Sequence, residues 1–294
     1  MSILKNKRKN NQLDGWLMVS IASIFVLIFS YIPTFQALIL SLKTGKGANL
    51  EFSGFANYIR MFHDTTFWQT TGNTLFYAII QIPIMMLFAV IIAVLLNNPK
   101  LKFRGIYRTC IFLPCVTSLV SYSILFKILF AVDGIINKIL LHLHVIDKAI
   151  LFTLDSQWAK LTIIVALIWR YTGYFMIFFL SGLQNIDTQV YEAAEIDGAN
   201  WSQTLFRVTL PQLKPIVFLT SIMALNNTLQ LFDEVVNLTQ GGPGNATRTI
   251  SQYIYDLSFN YVPSYGYAAA ISNVVLLLIM LITLVQKRVG GDMN

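Results

Sequence analysis

Residues 191–211 read YEAAEIDGANWSQTLFRVTLP and form a polar, acidic stretch between long hydrophobic segments. From 184 to 212 the chain holds four acidic residues and one arginine, whereas its net charge is +7. If the stretch is helical, Ala194 and Gly198 lie four residues apart on one face, with Glu192 and Glu195 at its edges. Such a small-residue face predicts a helix that docks in a groove of another protein.

The spacing of small and acidic residues in this stretch closely resembles the EAA motif of ABC-transporter permease subunits. In that motif a Gly follows the last Ala by four residues and a Leu-Pro pair comes later, here Ala194, Gly198, Leu210 and Pro211. The resemblance implies that the loop over 184–212 couples a membrane domain to two copies of a cytoplasmic ATP-binding subunit, which carry the ATP and Mg²⁺. The coupling residues would be Glu192, Ala193, Ala194, Glu195, Asp197 and Gly198.

The composition indicates a membrane protein independently of that motif. Hydrophobic residues make up 55% of the chain and charged residues 12%, and the mean hydropathy is +0.62. A helix that crosses roughly 30 Å of hydrocarbon needs about 20 mostly apolar residues. We therefore predict an all-α membrane domain over 16–288, with tails at 1–15 and 289–294. Its six transmembrane helices would be 16–40, 73–96, 106–131, 158–183, 213–236 and 266–286.

The distribution of lysine and arginine predicts the orientation of these helices. Twelve of them lie in the first tail, at Lys287 and Arg288 near the other end, in the loop after the second helix with its flank, and around the acidic loop. Seven lie in the segments that would face the other side. By the positive-inside rule both termini and the acidic loop are cytoplasmic, which predicts a multi-pass protein of the plasma membrane.

A glycine-rich loop follows the fifth predicted helix and reads LTQGGPGNAT over 238–247. Three glycines and a proline within 241–244 exclude a continuing helix. The loop resembles the T-x-G-G-P loop of carbohydrate-type ABC importer permeases, through Thr239, Gly241, Gly242 and Pro243. That resemblance, which extends from Phe52 to the last helix, implies a type I importer fold, a second homologous permease subunit and an extracellular solute-binding protein that docks on this side.

Polar and aromatic side chains in the fourth and fifth predicted helices are candidates for the solute path. Charged groups are costly in a bilayer, so Arg170 should face protein or water. It either contacts solute, pairs with Asp233 or Glu234, or stacks on Trp169. Alignment from the two motifs places several residues at positions that resemble sugar contacts of the maltose-transporter subunit, although most identities differ. The path set is Arg170, Tyr171, Tyr174, Asn227, Thr228, Gln230 and Leu231.

The sequence contains no Walker A loop, no catalytic serine or cysteine with a base, and no spacing typical of a metal site. We therefore expect a transport subunit that is not an enzyme, binds no cofactor or nucleic acid, and contacts membrane lipid. Three alternatives stay open. One is an ABC permease for a non-sugar or acidic solute, and another is an ion-coupled secondary transporter using Asp233 or Glu234. The third is a membrane scaffold or assembly factor whose acidic loop docks a partner without transport. Lys127 is isolated in the third helix, where snorkelling or a helix contact would accommodate it.

Overall fold

The computed structural model describes residues 15–16, 19–47 and 49–291. Residues 1–14 of the first predicted tail and 292–294 of the second therefore lie outside the described residues. Within that part of the chain, four helices are long and apolar enough to cross a membrane, and two bent helix pairs bring the number to six if each pair is one span. The predicted all-α membrane fold is confirmed.

We number the elements in chain order. The two strands are β1 (Lys43–Lys46) and β2 (Asn49–Phe52). The helices up to the acidic loop are α1 (Val19–Ser41), α2 (Ala56–Phe62), α3 (Thr65–Asn97), α4 (Arg104–Val116), α5 (Leu119–Leu129), α6 (Ile135–His142) and α7 (Ser156–Gln184). The remaining helices are α8 (Thr188–Ile196), α9 (Trp201–Gln212), α10 (Lys214–Leu229), α11 (Asp233–Leu238), α12 (Ile250–Tyr255, continued by a π-helical segment Asp256–Asn260) and α13 (Tyr265–Gly291).

Two of the six predicted helices are not continuous. The stretch 106–131 is divided between α4 and α5, which meet at 97° because Thr117 and Ser118 adopt extended backbone angles. The stretch 213–236 ends its helix at Leu229, and α10 forms a 66° bend with the preceding α9. Hydropathy responds to the apolar content of a segment and not to its direction, so these breaks could not be predicted from it.

The chain forms two compact units. The first unit comprises residues up to 63 together with 254–276. In it β1 and β2 pair as an antiparallel hairpin. The Asn57 amide donates to the carbonyls of Ser41 and Lys43, 2.8 Å from each, and ties α2 to the end of α1. The Arg60 guanidinium lies 4.0 Å from the centre of the Tyr267 ring, within the range of a cation–π contact.

The second unit comprises residues 64–253 and the chain from 277 onward. Here α3 packs along α7, and α4 and α10 pack against the same pair. Asp64 and Asp155 begin α3 and α7 by accepting hydrogen bonds from the first backbone N–H groups of each helix. The core between the helices contains Met85, Ala89, Phe175, Phe179, Leu183 and Ala224. A second cluster joins α5, α7 and α11 through Tyr122, Phe126, Leu167 and Val235.

Candidate functional site

A cavity of about 250 Å³ lies in the second unit, among α3, α7, α10 and the segment that leads into α11. Half of its lining side chains are polar: Gln81, Tyr171, Asn227, Thr228, Gln230, Asp233 and Glu234. The apolar lining includes the Phe175 ring, Met85, Leu167 and Leu231. The structure therefore brings together five residues of the predicted path: Tyr171, Asn227, Thr228, Gln230 and Leu231.

Hydrogen bonds fix the buried polar groups of this cavity. The Thr228 hydroxyl donates to Gln81 Oε1 at 3.1 Å, and the Tyr171 hydroxyl donates to Glu234 Oε1 at 3.0 Å. Gln81 and Glu234 are 3% and 4% exposed. The Gln81 amide nitrogen donates to the Met85 sulfur, a weak acceptor, at 3.3 Å. The cavity thus presents amide, hydroxyl and carboxylate groups beside aromatic faces, a combination that suits hydroxyl-rich solutes.

Arg170 and Tyr174 lie outside the lining of this cavity. The Arg170 guanidinium donates to the backbone carbonyls of Thr117 at 2.9 Å and of Pro114 and Cys115 at 3.3 Å. It also lies 4.6 Å from the centre of the Tyr122 ring. Its described contacts are therefore with the end of α4 and with tyrosine rings, and they include neither a close ion pair with Asp233 or Glu234 nor a stack on Trp169. A solute contact for Arg170 stays a prediction.

Tyr174 packs edge-on against Phe175 and Phe178, with ring centres 5.1 and 5.2 Å away. Its predicted contact with solute likewise stays a prediction. Gln81 was missed in the sequence, although a glutamine inside a long apolar helix is costly in a bilayer and is itself a signal of function. Glu234 was considered only as a partner of Arg170 or as an ion-coupling group. Lys127 is exposed in the last turn of α5.

The acidic loop folds as α8, a short helix with a defined beginning and end. The Asp187 carboxylate accepts from the Gln189 N–H at 3.0 Å and caps its first turn. At its other end the Gly198 N–H donates to the Glu195 carbonyl and the Ala199 N–H to the Ala194 carbonyl, at 3.0 and 2.9 Å. This Schellman arrangement places Gly198 at φ +74° and ends the helix.

The predicted small-residue face of this helix is wrong. Ala194 is 9% exposed, and Gly198 lies beyond the last helical residue. Because the helix stops at Ile196, residues 194 and 198 do not share a helical face. The exposed side chains of α8 include the acidic Glu192 and Glu195 and the apolar Ile196, which is 86% exposed. The segment that follows α8 adds the exposed Trp201.

The glycine-rich loop is held by its own threonines. The Thr247 hydroxyl donates to the Gly242 carbonyl at 2.7 Å and lies 2.7 Å from the Thr239 hydroxyl. Gly241 adopts φ +82°, and a Cβ built there would lie 2.8 Å from Gln252 Oε1. Gly242 has no positive φ, and a Cβ built there would lie 3.3 Å from the Thr239 carbonyl oxygen. Pro243 follows it through a cis peptide bond. The predicted irregular loop at the end of the fifth span is confirmed.

Side chains of α3 anchor this loop. The Asn73 amide donates to the carbonyls of Asn245 and Arg248 at 3.0 Å each, and the Tyr77 hydroxyl donates to the Thr247 carbonyl at 3.2 Å. These anchors were not predicted, since no sequence pattern reports which turn of a helix a distant loop will meet. Polar groups on an otherwise apolar helix were the available signal.

A family model described as "Binding-protein-dependent transport system inner membrane component" matches residues 85–291. The chain belongs to this family. The permease is 48% identical over 276 residues to the lactose transport system permease protein LacF of Rhizobium radiobacter, covering 93% of the chain and 92% of that protein.

The permease also resembles the trehalose/maltose transport system permease protein MalF of Thermococcus litoralis. Identity is 32% over 281 residues, with 94% of the chain and 93% of that protein covered. A crystal structure of a bacterial ABC transporter that imports the acidic polysaccharide alginate matches with a TM-score of 0.85, 23% identity and 99% coverage of both chains. This likeness supports the type I importer fold. The protein is thus a multi-pass membrane permease of a binding-protein-dependent system, and its relatives are transport subunits and not enzymes.

Proposed function

We propose that this permease forms one half of the translocation path of an ATP-driven importer for a sugar or short oligosaccharide. The observation that carries the solute class is the 48% identity to a lactose permease over nearly the whole chain. The polar and aromatic lining of the cavity supports the same class, because sugars offer hydroxyl groups to amides and C–H faces to rings. Lactose is accordingly the first solute to test.

The energy for import comes from two copies of a cytoplasmic ATP-binding subunit, which bind the ATP and Mg²⁺. Exposed Glu192 and Glu195 on α8, with the neighbouring apolar Ile196, provide a surface on which such a subunit docks. A basic groove edged by apolar side chains would complement it. A second homologous permease completes the path.

Both termini and α8 face the cytoplasm in this proposal, and the loop at 238–247 faces the solute-binding protein. The lysine and arginine distribution supports that orientation. The hydrogen bonds from α3 hold the loop in place and so give a receptor a fixed surface to contact. Docking there would transmit receptor binding to the start of the long helix that lines the cavity.

The proposal is tested by transport in proteoliposomes that contain this permease, its partner permease and the ATP-binding subunits. Radiolabelled lactose is supplied with the purified binding protein outside and ATP inside. We expect accumulation that requires both ATP and binding protein and persists when proton and sodium gradients are collapsed. Uptake that follows an ion gradient without ATP would support the secondary-transporter alternative. ATP-dependent uptake of amino acids or uronic acids, with no uptake of lactose or related saccharides, would overturn the sugar assignment.

A further inference from the structure

The charge of the cavity lining is entirely acidic. Asp233 and Glu234 lie next to each other where the chain enters α11, and both line the cavity. Its fourteen lining residues include no lysine, arginine or histidine. The residue that suggested an acidic solute from the sequence, Arg170, is directed at the carbonyls of the α4–α5 bend. An anionic solute would therefore meet negative charge without a compensating cation in the lining.

Arg170 offsets this negative charge only in part. The Tyr171 ring lies beside the guanidinium, 5.6 Å from it, and its hydroxyl donates to Glu234 Oε1. Tyr171 thus contacts both the Arg170 guanidinium and the Glu234 carboxylate. The two carboxylates and one arginine leave a net negative charge around the cavity. Buried groups interact at a lower effective dielectric constant than groups in water, so this charge acts strongly on a solute that enters.

Glu234 and Gln81 present polar groups to the cavity that can bond a solute. Glu234 is 4% exposed, lines the cavity, and accepts the Tyr171 hydroxyl at Oε1. Gln81, also in the lining, presents an amide nitrogen whose protein partner is the weakly accepting Met85 sulfur. A carboxylate oxygen can accept from a solute hydroxyl, and an amide N–H can donate to one. A neutral, hydroxyl-rich molecule satisfies both groups, whereas a carboxylate or phosphate does not.

We propose that this cavity rejects anionic solutes and passes neutral or cationic hydroxyl-rich ones, with Glu234 as the specificity-determining residue. The inference rests on the proposed function in so far as the cavity belongs to the solute path. It narrows the solute class to neutral or amino sugars and separates this permease from importers of uronic acids or sugar phosphates. Uptake is a poor readout for it, because the binding protein selects the solute first.

The test measures the electrostatic potential of the cavity directly. Cys110 and Cys115 are replaced by serine, and Asn227→Cys places one thiol in the lining. Methanethiosulfonate reagents of similar size, one cationic and one anionic, are then applied to the assembled complex in each nucleotide state. The same complex without the new cysteine corrects for thiols of the partner subunits. The ratio of the two reaction rates is normalised to that of a small thiol in solution.

We expect the normalised ratio to favour the cationic reagent at least about tenfold, as for one unit charge about 10 Å away at an intermediate dielectric constant. Glu234→Gln, which keeps size and hydrogen bonding, should move the ratio most of the way to the solution value. Asp147→Asn, which removes an exposed acid that does not line the cavity, should leave it unchanged.

A ratio equal to the solution value, or one unaffected by Glu234→Gln, would overturn the proposal. A thiol that reacts with neither reagent in any nucleotide state would overturn it too, since the cavity would then be closed to aqueous solutes. Lactose uptake by the wild-type complex is measured separately. If uptake is absent while the ratio behaves as expected, the sugar assignment fails and the charge selection stands.

Discussion

Arg170 holds the bend between α4 and α5 by donating to carbonyls that the end of α4 leaves without helical partners. Its position within an apolar stretch made it conspicuous in the sequence. The identity of its partners could not be read there, because those carbonyls become available only when the chain bends at Thr117. An arginine suits the task, since its planar fork reaches several acceptors at once.

Removal of this side chain should destabilise the permease more than it alters solute choice. Arg170→Ala leaves the carbonyls of Pro114, Cys115 and Thr117 without these donors, and we expect a loss of about 3 kcal/mol in stability. Thermal unfolding of the detergent-solubilised complex measures it. The matched control is Lys138→Ala, which removes an exposed cation of α6. Equal melting temperatures for both variants would show that Arg170 does not hold the bend between α4 and α5.

Asn227 and Tyr174 were placed in the path by the same alignment, but only Asn227 lines the cavity. We expect Asn227→Ala to lower lactose transport several-fold at unchanged complex yield, because an amide that bonds sugar hydroxyls is lost. Tyr174→Ala removes ring contacts with Phe175 and Phe178 and should lower yield or thermal stability first. Transport per assembled complex distinguishes the two effects. A larger loss of transport per complex for Tyr174→Ala than for Asn227→Ala would indicate that Tyr174 contacts the solute.

At the scale of elements, the straight transmembrane helices were predictable and the bent ones were not. The spans near α3, α7 and α13 follow from hydropathy, since long apolar runs have no other stable form in a bilayer. The bends after Val116 and at Leu213 depend on a few backbone angles and on distant partners. The helix of the acidic loop was predictable, but its predicted small-residue face was not formed, because Gly198 ends the helix instead of lying on it.

The end of α8 offers a matched pair of glycine substitutions. A Cβ at Gly198 or at Gly105 meets no atom within 4 Å, but only Gly198 has a positive φ. Gly198→Ala should cost roughly 1 kcal/mol at the helix end and weaken coupling of ATP hydrolysis to transport. Gly105→Ala, in α4, should leave both unchanged or slightly raise stability. The ratio of ATP hydrolysed to solute imported is the measurement, and equal ratios for both variants would contradict the assignment.

The glycine-rich loop also offers a matched pair of glycine substitutions. Gly241→Ala would impose a side chain at φ +82° and press it against Gln252, whereas Gly242→Ala meets only the Thr239 carbonyl at 3.3 Å. If the loop contacts the binding protein, Gly241→Ala should reduce receptor-stimulated ATP hydrolysis several-fold and Gly242→Ala should do so much less. Basal hydrolysis reports whether assembly is intact. Stimulation that survives in both variants would make the loop a plain connector.

For the molecule as a whole, the large apolar surface is the property that composition predicted best. Most large hydrophobic side chains of α1 are exposed, among them Phe25, Phe29 and Phe35. A soluble monomer does not leave such a surface uncovered, so lipid or another subunit covers it. The sequence could not assign these residues to lipid or to protein, because both environments are apolar and hydropathy does not distinguish them.

The assembled transporter provides the sharpest test of coupling, through a charge reversal on α8. Glu192 is exposed, and the proposed ATP-binding subunit would face it with a basic residue. Glu192→Lys should therefore lower ATP-dependent uptake at least several-fold, either by releasing the ATP-binding subunits or by leaving hydrolysis uncoupled from transport. Co-purification of those subunits distinguishes the two. An acidic substitution of the facing basic residue should then restore uptake in the double variant. Full uptake with normal retention of the ATP-binding subunits in Glu192→Lys would mean that this side chain does not carry the coupling contact.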